Sequence, residues 1–67
     1  MKIKYFAETD TLYIEFRAEG ITESRDLDEN TVVDVDADGN VLAITFEHAS
    51  TRTDLRNLTL EGIGAAA

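Results

Sequence analysis

The chain has 67 residues, no cysteine, one histidine and 14 acidic against 6 basic side chains, for a formal net charge of −8. This length makes one small domain without room for a second core, and the lack of cysteine excludes disulfides and thiolate metal sites. One histidine is too few for a histidine-based zinc site, and the acidic balance argues against nucleic acid or an anionic membrane as partner, because phosphate binding needs a clustered positive surface.

A core of this size supplies only about 3–5 kcal/mol, so self-association is expected as a further source of buried surface. The acidity suits a basic partner protein, although it also serves solubility. Met1-Lys2-Ile3-Lys4-Tyr5-Phe6 has no long apolar region of the signal-peptide kind. No apolar run approaches the ~18 residues of a membrane span. A cytoplasmic protein is the expectation.

Ile3 and Tyr5 alternate with Lys2, Lys4 and Phe6, which predicts a short first strand. Glu8-Thr9-Asp10 is turn chemistry. Leu12, Ile14 and Phe16 then alternate with Thr11, Tyr13, Glu15 and Arg17, the cleanest two-residue period in the chain. Ala18-Glu19-Gly20 is the next turn, with Gly20 free to take positive φ. Ile21 to Arg25 reads as a weak third strand, broken by the acidic run Asp26-Leu27-Asp28-Glu29-Asn30. Thr31 to Asp36 is a fourth strand and Val41 to Glu47 a fifth. Short links without intervening helices favour antiparallel pairing.

From Ser50 the pattern changes. Thr51 and Asp54 have capping-box spacing, and Leu55 and Leu58 share a helical face, predicting a helix over about 51–61. Gly62 and Gly64 would end it. The fold expected is α+β: an antiparallel β-meander of four to five strands followed by one C-terminal helix. Residues 1–62 form the single domain, and residues 63–67 are a flexible tail. One helix covers at most one face of the sheet. That leaves Phe6, Tyr13 and Val32 on the second face, turned towards a partner subunit.

The stretch Asp34-Val35-Asp36-Ala37-Asp38-Gly39-Asn40-Val41 has two readings. Asp34, Asp36 and Asp38 occupy positions 1, 3 and 5 of a calcium loop, with Gly39 at position 6. Position 9 is Leu42 and position 12 is Thr45, where a bidentate Glu is needed. The flanks are strand-like, and on a strand Asp34 and Asp36 lie roughly 6.5–7 Å apart along one face. A hairpin turn fits better, with Asp38-Gly39-Asn40 accepting left-handed conformations. A calcium-responsive domain using the three carboxylates is the alternative.

His48, at the junction of the last strand and the helix, is the one conceivable general base, with Ser50, Thr51 and Asp54 close by in sequence. A small enzyme built on it is the remotest reading. A solvent-facing or helix-capping histidine is simpler. Asp26, Asp28 and Glu29 could furnish a carboxylate pair, but so short a chain offers little cleft. Arg52 and Arg56, four apart, read as partners for carboxylates. No glycine-rich phosphate loop, nucleophile elbow or zinc-protease motif is present.

Met1–Tyr5, Asp10-Thr11-Leu12-Tyr13-Ile14, Glu23-Ser24, Val33–Val41 and Ala49-Ser50, in that order, resemble a small prokaryotic family of unknown function, domain of unknown function 2283. The likeness spans roughly residues 1–53. It implies a compact β-meander with a C-terminal helix and supplies no catalytic residues. The proximity of some members to small toxin-like proteins implies an antitoxin-like role. His48 stands where the family pattern leads one to expect a residue such as Asp. The reading is therefore a non-enzymatic protein-interaction module without cofactor, a homodimer binding itself or a basic partner protein.

Overall fold

The computed structural model describes residues 1–62. Five strands, β1 (Lys2–Phe6), β2 (Thr11–Glu15), β3 (Glu23–Asp28), β4 (Thr31–Val35) and β5 (Val41–Phe46), precede one helical turn, α1 (Ala49–Arg52). All strand pairs are antiparallel in a single open sheet. The α+β class expected from the alternating pattern is what forms. The strand order is β1-β2-β5-β4-β3, so β2 pairs with β5 rather than with β3. Local hairpins build β1–β2 and β3–β4–β5, and the β2–β5 seam joins them.

The register places Ile3, Ile14, Ile44, Val33 and Arg25 side by side across all five strands. The next row on the same face is Tyr5, Leu12, Phe46, Thr31 and Asp28. Opposite stand Lys4, Tyr13, Thr45, Val32 and Asp26, beside a row of Lys2, Glu15, Ala43, Asp34 and Ser24. One face is therefore apolar and the other mixed, as period-2 alternation requires. Thin burial follows from a single layer. Val35, Leu42, Ala43 and Ala49 are the buried apolar residues among those described.

Two expectations are corrected. Asp26–Asp28 continue β3 rather than breaking it. A register shift between Asp26 and Asp28 opposite β4 absorbs the extra residue. Leu27 sits there 69% exposed, as bulges on edge strands allow. The helix predicted over 51–61 is only Ala49–Arg52. Thr53 leaves it at φ −136°, ψ 157°. Its amide and hydroxyl both donate to the Ala49 carbonyl, at 2.9 and 2.8 Å. Thr, Asp and Asn are poor helix formers that bond their own backbone instead. The capping box does not form: the Thr51 hydroxyl donates to the His48 carbonyl at 3.0 Å. Asp54 accepts from the Asn57 amide at 3.0 Å. The expected tail, 63–67, lies outside the described residues.

Candidate functional site

Three polar clusters and one open apolar surface are the features available for function. The first cluster surrounds Asp10. Asp10 ends the β1–β2 turn with φ 53°, a left-handed conformation that Asp tolerates better than most residues. Its carboxylate accepts from the Tyr5 hydroxyl at 2.7 Å, the Ser50 amide at 3.0 Å and the Ser50 hydroxyl at 2.7 Å. Its carbonyl accepts from the Ala49 amide at 2.9 Å. The Tyr5 and Ser50 donors hold the Asp10 carboxyl below its ordinary range, and the same Asp10 bond raises the Tyr5 phenol. The cluster clamps α1 to the β1–β2 turn.

The second cluster surrounds Arg52. Its guanidinium donates to the carbonyls of Asn30 at 2.6 Å and Glu47 at 2.9 Å, and to the Thr31 hydroxyl. It also lies 3.8 Å from the Asp28 carboxylate and 5.2 Å from the centre of the Phe46 ring. Thr31 is the buried polar residue of the core, and Arg52 satisfies it. Asp28 accepts from the Asn30 amide at 2.8 Å across the β3–β4 turn. That amide and the Thr31 hydroxyl keep its carboxyl below the ordinary range. Arg52 thus pairs within its own chain, as the sequence led one to expect. Arg56 is exposed.

The third cluster is the acidic turn. Asp36 accepts from the amides of Asp38 and Asn40, both at 2.9 Å, and from the Asn40 side chain at 3.0 Å. The Asn40 side-chain amide, then its main-chain amide, hold the Asp36 carboxyl below the ordinary range. Gly39 takes φ 85°, open to glycine at little cost. The hairpin closes through the Asp36 amide donating to the Asn40 carbonyl at 3.0 Å. Asp34 points elsewhere: it lies on the mixed face and accepts from the Ser24 hydroxyl. The turn therefore does not gather Asp34, Asp36 and Asp38 around one point. Among the described residues no group of three or more His, Asp or Glu is disposed to hold a metal ion.

His48 adopts φ 56° and caps α1 with its backbone, without a side-chain cap bond. Its ring is exposed. Ser50, Thr51 and Asp54 bond to Asp10, the His48 carbonyl and Asn57 rather than to the His48 ring, although, after the Tyr5 and Ser50 bonds, the His48 charge helps lower the Asp10 carboxyl. Sequence reasoning missed the Asp10 and Arg52 clamps. Their partners stand 40 and 21–22 positions away, beyond any local motif.

The apolar face of the sheet is partly open. α1 packs at one end of the sheet, and Thr31 and Leu42 on this face are buried, but no helix lies over its β1–β2 part, against the expectation that one would cover the face. Residues 53–58 border it instead, making a groove of about 520 Å³ with Ile3, Tyr5, Leu12, Ile14 and Phe46 as its floor and Leu55 and Leu58, with the polar Thr53, Asp54 and Asn57, along its rim. Ile3 and Tyr5 are 44% and 43% exposed. Among the described residues no helix is long and apolar enough to cross a membrane.

No curated protein and no solved structure matches the chain. A family model described as "Protein of unknown function (DUF2283)" matches residues 2–50. These residues run from β1 into α1 and include the clamp residues Asp10 and Ser50 and the whole acidic turn. The match covers well over half of the sequence, and the chain belongs to the DUF2283 family.

Proposed function

We propose that the chain is a non-enzymatic protein-interaction module, binding a partner protein or a second copy of itself. One observation carries this reading. An open groove on the sheet has an apolar floor, whereas the neighbouring polar clusters are engaged in holding the fold. A nucleophile or general base needs an unengaged atom facing a cleft. Ser50 and Tyr5 both donate to Asp10, and the exposed His48 ring, whose charge reaches the Asp10 carboxylate, hydrogen-bonds to neither of them. A contiguous apolar patch is instead the usual mark of protein contact.

The net charge of −8 adds a second element. Its carboxylates lie mainly in turns and on the mixed face, where they suit a basic partner and would speed encounter at low salt. Stoichiometric neutralisation of a small basic toxin-like protein is one form this activity takes. The test is native mass spectrometry of the protein isolated from its own host. A stoichiometric complex with itself or with a second protein is expected. A bare monomer with no protein partner would end the reading.

A further inference from the structure

We propose that the open apolar face is a self-association interface, on which a second copy of this chain packs its own apolar face to make a two-layered sandwich. The inference rests on the interaction reading above and names the partner and the surface. Three observations support it.

The first is the missing layer. A sheet with one apolar face needs a second layer to bury it. α1 is a single turn at one end, and residues 53–58 only border the face. The chain has 67 residues, and its described part holds just four buried apolar side chains. Another copy supplies a layer of matching size and strand number.

The second is charge. A partner with a net charge of −8 cannot dock on another acidic surface without repulsion. The mixed face bears Glu15, Asp26 and Asp34 with Lys2 and Lys4. The centre of the apolar face, Ile3, Ile14, Ile44, Leu12 and Phe46, is uncharged. At its β3 margin Glu23 and Arg25 neutralise each other at 2.8 Å and Asp28 lies 3.8 Å from Arg52, while Asp54 stands at the groove rim. Face-to-face pairing therefore keeps most of the excess carboxylates outside. A basic partner protein would gain nothing from this uncharged face and is better suited to the turns.

The third is area. Five strands spaced ~4.8 Å apart and ~17 Å long give a face of roughly 400 Å² in projection. Part of it is already buried at Thr31 and Leu42, so two such faces stay below the ~1,200 Å² of a standard interface and fit a weak, concentration-dependent dimer. An isologous pair uses the same patch twice, so that patch is not left to propagate assembly.

The test is sedimentation of the full chain from nanomolar to high-micromolar concentration, combined with hydroxyl-radical labelling. A dimer is expected, with labelling of Tyr5 and Phe46 falling several-fold as it forms while Phe6 and Tyr13 on the mixed face stay unchanged. Ile3→Asp should abolish the dimer and Phe6→Ser should leave it intact. Labelling of the unaltered chain decides the matter should Ile3→Asp fail to fold. A monomer at every concentration overturns the inference, as does a dimer that protects Phe6 and Tyr13 or neither face. A monomer that still binds a different protein leaves the interaction reading standing; a monomer without any protein partner removes both.

Discussion

Asp10 and His48 hold left-handed backbone conformations at φ 53° and 56°, the first leading the chain into β2 and the second into α1. Asn, Asp and His are the non-glycine residues that best tolerate this region, so His48 and the Asp expected from the family pattern satisfy one backbone requirement. His48→Asn should leave stability unchanged, and His48→Val should lower it by about 1–2 kcal/mol in urea denaturation. Asp10 predicts a pH dependence. Its folded pKa is lowered, so its contribution is present above the ordinary carboxylate value and disappears as pH falls through the folded one. The Tyr5 phenol is raised from its ordinary 10.0, so its share is present below that value and disappears as pH rises through the folded one. Thermal melts across pH should show both losses. Tyr5→Phe should shrink both, leaving the alkaline part that burial and the Glu15 bond give the raised Tyr13 phenol. For the acidic turn, calorimetric titration with calcium, magnesium or manganese should give no saturable heat, because Asp36 is bonded to its own loop and Asp34 to Ser24. The turn was legible in the sequence since Asp-Gly-Asn chemistry is local. The Asp10 clamp was not, since Ser50 is forty positions away.

Among the elements, the strands were the readable part. Alternation in Leu12–Phe16 and Leu42–Phe46 is a direct imprint of one buried face, and β1, β2, β4 and β5 form within a residue or two of where it puts them. β3 was harder because an exposed edge strand keeps few apolar residues, and Glu23–Asp28 has only Leu27. The helix was overextended because leucine spacing at Leu55 and Leu58 also serves a non-helical segment beside the sheet, which turns at 54–57 through the Asn57 amide donating to the Asp54 carbonyl at 3.3 Å. What fixes α1 is tertiary. Arg52→Ala would release two carbonyls and the buried Thr31 hydroxyl. It should destabilise the fold by about 2 kcal/mol in equilibrium unfolding, with Arg52→Lys recovering only part because the fork geometry is lost.

For the whole molecule, composition indicated a small acidic domain short of core, and the single-layered sheet gives that shortage a location. If a second copy completes the core, the melting temperature must rise with protein concentration, by mass action. Differential scanning calorimetry over a wide dilution series should show this, and Ile3→Asp should flatten the dependence. The pairing of β2 with β5 has a consequence of another kind. Glu15 and Ala43 are 28 positions apart, and Leu12 and Phe46 are 34 apart. Every other strand contact is a hairpin between neighbours in sequence. Closing that seam is the slow entropic step of folding, because the long loop must be ordered before its contacts are gained. Until it closes, the β1–β2 hairpin is a free arm beside an exposed β5 edge. Two chains folding close together can exchange these arms, so the speed of seam closure relative to encounter decides whether each chain completes its own sheet or its neighbour's.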